Sequence, residues 1–435
     1  MIASEKNVYY DLFMPLILSI FTTLFSLLFW QSFNFFNLII AYCSSFLFIY
    51  AGTKIFQKRE LKSHLIFIFS FYIGLYFNTF MLSRFQTEKN FIDVYYFFIG
   101  PILFYLVLYF FENKSIKTIK YRKRLININV LYLIFLSSYI LLKLYISSLV
   151  GWRISSFDNS NFLQSGSLYT VSGYSGLAAI LQWMLVIFSL NTKRRYAIIG
   201  IIAVIIFSFL HVKRGDILRV AFFYFIFYSF RIFKLSKSIR LKSNFNNTFK
   251  IVVMLVLLLL VFVYSGNRRE ELKGNTEAVL SNNIGIDNAP AYLSWFYGYI
   301  PINYEVVRFY FNTSPTNYPH ALLKTIISPD SEALNSEHSI NGYNASTILT
   351  SFIKDYGELY FLEMILFAFV IGLLIKQAKK QQFLGCYVFI SMILGYSFFG
   401  NYFEARSMFL PILASLIIFP YVETGKNTKI REEYF

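Results

Sequence analysis

Cationic side chains at the ends of apolar stretches offer this chain most of its chemistry. Lys213, Arg214, Gly215 and Asp216, with Arg219 about one turn on, sit in SFLHVKRGDILRV between two apolar runs. Arg268 and Arg269 follow another apolar run in YSGNRREE, Arg308 lies in an aromatic segment, and Arg406 opens a late apolar run in FFGNYFEARSMFLP. Guanidinium is permanently charged, planar and bidentate, so several such groups converging on one membrane face would hold a diphosphate. They would also stabilise its charge as a leaving group. Each has a plainer reading beside this one. A lysine at a helix end snorkels to the interface, Arg268 and Arg269 have Glu270 and Glu271 as local ion partners, and Arg406 has Glu404. Snorkelling accounts less well for Lys213, Arg214 and Arg219 together. A cation such as Arg219, inside an apolar run, is a functional-site candidate by default.

A general base for a hydroxyl nucleophile would come from His320, His338, Glu270, Asp330 or Glu337, each of which also reads as an ordinary solvated loop residue. No HExxH or comparable metal spacing is present, so no metal is expected. The chain has no GxSxG elbow, phosphate-binding P-loop or dinucleotide fingerprint, and no cofactor is expected. Cys43 and Cys386 both lie in apolar segments, which supports neither a disulfide framework nor a thiolate metal site.

The elements that must position these groups are apolar helices. Of 435 residues, 57% are apolar and 14% charged, where a soluble chain would carry about 25% charge. Apolar stretches of about 20 residues, the length of a bilayer crossing, recur throughout. The expected fold class is therefore all-α, a polytopic integral membrane protein of about twelve transmembrane helices. The spans are expected near 11–31, 33–56, 65–83, 91–111, 126–149, 171–191, 197–212, 217–233, 250–265, 357–376, 383–402 and 406–422. The first run, Leu12 to Trp30, is too long for a signal-peptide core, so no cleavable signal is expected. The net charge of +17 gathers in short loops and does not point to nucleic acid. Lys58, Arg59 and Lys62, the run from Lys114 to Arg124, Lys193 to Arg195, Lys234 to Lys242, Lys376 to Lys380 and the tail all fall on one face with both termini. The positive-inside rule makes that face cytoplasmic. The Lys213–Arg214 turn falls on the opposite face, against the rule.

Three regions follow: membrane helices over 1–265, a large external loop over 266–355, and further helices with a cytoplasmic tail over 356–435. Within the loop, Ala289 to Asn312 is amphipathic and reads as interfacial helices, or else as a pair of weakly hydrophobic extra spans. The 52 Phe and 34 Tyr read chiefly as lipid-facing bulk and aromatic belts. From Asn341 a polar stretch leads through Asp355-Tyr356-Gly357 into an apolar run, with Gly357 expected to ease close packing.

The span pattern with one late external loop, the KRG turn at 213–215, the step from Asn344-Ala345-Ser346-Thr347 to Tyr356-Gly357, and Arg406 at the head of a late span together resemble the Wzy-type polymerases of O-antigen, capsule and exopolysaccharide repeat units. The resemblance implies a glycosyltransferase in the bacterial cytoplasmic membrane. Its substrates would be undecaprenyl-diphosphate-linked oligosaccharides, joined on the outer face with release of undecaprenyl diphosphate. It places Lys213, Arg214 and Arg219 in one diphosphate site, Arg268, Arg269, Arg308 and Arg406 in a second, and Tyr356 among the substrate-binding residues. By location alone it makes His338 the counterpart of the loop histidine of the related O-antigen ligases; Glu270 stays a candidate base from its own residue type and place in the loop. Expected partners are the lipid bilayer and a flippase and chain-length regulator of the same pathway. A ligase, or a lipid-linked oligosaccharide flippase, remains the alternative.

Overall fold

A computed structural model describes residues 2–30, 32–56, 62–114, 126–152, 170–211, 213–234, 285–286, 290–312, 314–317 and 347–423. Helices dominate: α1 (Ile2–Leu27), α2 (Phe35–Phe56), α3 (Ser63–Asn78), α4 (Phe91–Asn113), α5 (Ile128–Val150), α6 (Tyr174–Ser189), α7 (Arg194–Leu210) and α8 (Arg214–Lys234). They continue with α9 (Ala291–Tyr299), α10 (Ile302–Phe309), α11 (Leu349–Tyr356), α12 (Tyr360–Lys380), α13 (Leu384–Gly395) and α14 (Arg406–Ile418). The strands among the described residues are two short ones, β1 (Ile126–Asn127) and β2 (Val422–Glu423), paired in parallel. The described residues are thus mostly helical. Helices coincide with every expected span except 250–265, which lies outside the described residues. Four apolar stretches among the described helices are long enough to cross a membrane: Phe35–Ile55, Phe91–Asn113, Ile128–Val150 and Leu349–Lys380.

Two compact units form. The first combines residues 1–114, 277–373 and 393–404; the second combines 115–276, 374–392 and 405–435. Each is organised on a helix of 16 residues. In the first unit that helix is α3, SHLIFIFSFYIGLYFN, apolar on every side and buried on nearly all of them, as a helix without a polar stripe must be. Its ends are tied differently. At the start of α3, the Glu112 carboxylate accepts the backbone N–H groups of Ser63 (2.8 Å) and His64 (3.1 Å) and lies 2.6 Å from His64 Nδ1. This carboxylate satisfies two of the amides that a helix start leaves unpaired.

In the second unit the central helix is α6, whose residues 182–189 are all buried. It packs against α5, α7 and α14. The closest approach is at Gly385 of α13, where any Cβ would overlap the backbone carbonyl oxygen of Ile187. Small residues at such crossings let backbones meet. Gly385→Ala is therefore expected to lower stability by at least the roughly 1–3 kcal/mol of ordinary overpacking, because no side-chain rotation relieves a backbone clash. Gly176→Ala, with open space around the added methyl, is the matched control and is expected to be neutral or to gain up to about 1 kcal/mol from helix propensity. Thermal unfolding of the two detergent-purified variants checks this; equal midpoints would remove the packing argument.

The 289–312 segment departs from the expectation of interfacial helices. Tyr292 and Phe296 of α9 are exposed, but six of the eight residues of α10, Ile302 to Val307, are buried. Tyr304 packs over Gly74, against Phe71 and Phe97, and its hydroxyl donates to the Phe71 carbonyl. Glu305 and Arg308 are the charges of this helix, and both have partners inside the unit. Gly357 also differs from expectation. Its φ of +54° ends α11 in the left-handed region, while a Cβ would meet only Pro315, at 3.6 Å. Glycine is needed there for conformation rather than for close packing.

Candidate functional site

In the second unit, α7 ends at Leu210 and α8 begins at Arg214. The reversal runs through His211 to Lys213, whose N–H donates to the Ser208 carbonyl at 2.7 Å. Gly215 is not the turn residue: it lies in the first turn of α8, and its missing side chain leaves room for Arg219, whose guanidinium comes within 3.5 Å of the Cβ position. Helical side chains lean toward the N-terminus, so Arg219 reaches back to Asp216, Nη1 to Oδ1 2.7 Å. The other oxygen, Asp216 Oδ2, accepts from Gln182 Nε2 at 3.1 Å, and Gln182 Oε1 accepts from the Tyr139 hydroxyl at 3.3 Å. A ladder thus runs from α5 through α6 to α8. Lys213 is exposed, and Arg214 is the first residue of α8, its side chain lying outside the described set. His211 is buried beside Trp152, ring centroids 5.4 Å apart.

This arrangement divides the basic residues expected to act alike. Arg219 is neutralised within the protein by Asp216, while Lys213 has no ion pair among the described residues. The ladder also exposes a residue that sequence reasoning did not single out, Lys143 of α5, buried with its ammonium 5.8 Å from the Tyr139 ring centre. Its signal was available as a lone lysine in an otherwise apolar helix, ILLKLYISS.

The first unit holds a second polar cluster, at the end of α3 opposite His64. Arg308 forks onto Asp93, Nε to Oδ1 2.6 Å and Nη2 to Oδ2 3.1 Å. Its Nη1 reaches Glu305 Oε2 at 2.9 Å and the Thr87 carbonyl at 3.1 Å, and Nη2 also donates to the Glu88 carbonyl at 2.8 Å. Lys89 donates to Glu305 Oε1, which also accepts from Asn78 Nδ2 at 3.1 Å. Asp93 is oriented by its own helix: Asn90 and Asp93 form a reciprocal capping box at the start of α4. Gln86 closes the loop between α3 and α4, donating to the Asn78 carbonyl at 2.5 Å and accepting from the Tyr297 hydroxyl at 2.5 Å.

Four charges, two of each sign, therefore compensate one another with almost no exposure. Burial pulls the Lys89 ammonium below its ordinary value, with Arg308 adding to this and Glu305 and Asp93 opposing it. For Glu305, burial pushes upward, but Lys89 and Arg308 outweigh it and hold the carboxyl below the ordinary range. Burial opposes the Arg308 charge, yet Glu305 and Asp93 raise its value.

Arg308 was expected in a diphosphate site; here its guanidinium donors all have protein acceptors, and it clamps α10 to the α3–α4 loop. Lys89, Asp93 and Glu305 were not foreseen. Arg406 begins α14, half-buried and without an ion pair among the described residues. Tyr356 is half-buried at the end of α11, beside the buried Asp355. Arg268, Arg269, Glu270 and His338 lie outside the described residues, as do His320, Asp330 and Glu337. Among the described residues no group of three or more His, Cys, Asp or Glu side chains could hold a metal ion. Comparison of the chain with protein-family models, with curated proteins and with solved structures finds no match.

Proposed function

We propose that this chain is a polysaccharide polymerase, a glycosyltransferase of about twelve membrane spans. It would join undecaprenyl-diphosphate-linked repeat units on the outer face of the bacterial cytoplasmic membrane, both termini lying inside. One observation carries the reading. The apolar helix α7 has basic residues at both ends, Arg194 and Arg195 at its start and Lys213 and Arg214 just past its end. Its 17 residues separate the two clusters by about 25 Å at 1.5 Å per residue. In a membrane one cluster must then face away from the cytoplasm, against the charge rule. An anionic substrate at that face supplies the reason, and a diphosphate is the anion a surface-glycan donor presents there. Holding charge on the departing diphosphate is the largest effect such a site would contribute. The transferred glycan would pass to a sugar hydroxyl of the incoming unit, with a loop residue such as His338 or Glu270 taking the proton.

A flippase is the second reading, favoured by the burial of Lys143 within a membrane-length helix. Deleting the gene in its host and running surface glycan on a gel separates the two. A single repeat unit in place of a ladder, restored by wild-type complementation, is the expected result. Full-length glycan retained on its lipid carrier would indicate a ligase, and the absence of any external repeat unit a transporter.

A further inference from the structure

Lys143 has no part in the polymerase reading, yet it is the most deeply buried charge among the described residues of the second unit. Its residue exposure is 6%, and it lies seven residues before the end of α5, about 10 Å along the helix axis. An ammonium taken out of water requires a partner. Its nearest aromatic neighbour, Tyr139, offers only a ring face at 5.8 Å, and no carboxylate pairs with it among the described residues. A chain of contacts links it to the α7–α8 turn: the Tyr139 hydroxyl donates to Gln182, Gln182 donates to Asp216, and the Asp216 N–H donates to the Lys213 carbonyl at 3.0 Å. Asp216 does not meet its need, because one carboxylate oxygen is taken by Arg219 and the other by Gln182. The cluster therefore sets Lys143, Lys213 and Arg219 against one carboxylate. It also lies where α8 begins, with the partial positive charge of a helix start.

We propose that Lys143 and Lys213 are the inner and outer ligands of a diphosphate group. The ammonium of each would donate to its oxygens, and the Tyr139–Gln182–Asp216–Arg219 ladder would fix the walls of the site. Arg219 then acts as a positioning residue through Asp216 rather than as a phosphate ligand. The assignment of a lipid-borne diphosphate rests on the proposed function; the excess of positive charge does not.

The test uses the full chain in phosphatidylcholine nanodiscs, with farnesyl diphosphate and inorganic pyrophosphate as probes and Kd as the readout. Wild type is expected to bind farnesyl diphosphate saturably, and Lys143→Met to weaken it by about tenfold or more, as loss of a charge-assisted hydrogen bond requires. Lys213→Gln, at an exposed position, is expected to weaken binding about threefold. Asp216→Asn, which removes the repelling carboxylate, is expected to tighten it about as much. These opposite signs test the site even if Lys143→Met does not fold. Tighter binding of farnesyl diphosphate than of pyrophosphate supports a lipid-borne ligand, and equal binding supports a diphosphate site open to the free anion. Unchanged affinity in Lys143→Met, equal signs for Lys213→Gln and Asp216→Asn, or loss of binding when phosphatidylglycerol replaces a tenth of the lipid would each overturn the proposal. If the affinities follow the expected pattern while gene deletion leaves the glycan ladder intact, the site stands and the polymerase reading falls.

Discussion

Replacing Glu305 by alanine is expected to cost about 3–5 kcal/mol of folding free energy, the penalty for breaking a buried ion pair and leaving its partner charged. The partner is Lys89, whose side chain is 0% exposed and has no water to fall back on. The penalty does not mean that the pair adds as much stability. A buried network is often matched by apolar groups of the same shape, and its cost appears when one member is removed. The double variant Lys89→Met, Glu305→Gln is therefore expected to recover part of the loss, since it leaves no orphaned ammonium and the one carbonyl oxygen of glutamine can still accept from Arg308. Melting midpoints of the two variants in detergent decide it, and a double variant no better than Glu305→Ala would show that the loss does not come from the orphaned Lys89 charge.

The same carboxylate sets an acid limit. Its folded-state value lies below the ordinary carboxylate value, so its stabilisation is fully present above about pH 4.3 and is lost as pH falls through the lowered value. The pH dependence of the midpoint below that point is expected to flatten in Glu305→Gln.

Arg214→Ala is expected to reduce polymer formation by about a hundredfold to a thousandfold, the effect of deleting one preorganised donor to a developing charge, with the protein still present in the membrane. Arg214 opens α8, beside the exposed Lys213, and the proposed orientation puts both on the external face. Arg214→Lys is expected to recover only part of this, because an ammonium lacks the planar fork. Complementing the deletion strain with each variant and reading the glycan ladder measures both. A normal ladder from Arg214→Ala would take this residue out of the mechanism. Full recovery by lysine would mean that charge alone matters.

The helices were legible because hydrophobic length is a local property: α4, with its capping box at Asn90 and Asp93, can be read from twenty-three residues and their immediate neighbours. The charged network was not, because each member in isolation is an ordinary polar loop residue. Asp93 reads as a helix cap, Lys89 as a solvated lysine, and Glu305 with Arg308 as the outer face of an amphipathic turn. Only folding brings together groups more than 200 positions apart. Arg308 was singled out by residue type, and its type was compatible with binding either phosphate or aspartate. Lys143 is the opposite case: its signal is local, but a single lysine among apolar residues does not by itself separate a site from a tolerated charge.

The span of 216 positions between Lys89 and Glu305 also imposes a schedule on biosynthesis. At about 5–20 residues per second, the ribosome takes some 10–40 s to add that much chain. Through that interval the loop after α3 and the start of α4 have emerged, carrying a lysine and an aspartate destined for burial, and their counter-charges do not yet exist. The first unit can close only after most of the second has been made. Chains halted before residue 305 should therefore remain protease-sensitive near Lys89, and chains halted beyond Arg308 should become resistant. For tens of seconds in every round of synthesis, the nascent protein is a client for whatever in the membrane shelters unpaired charge.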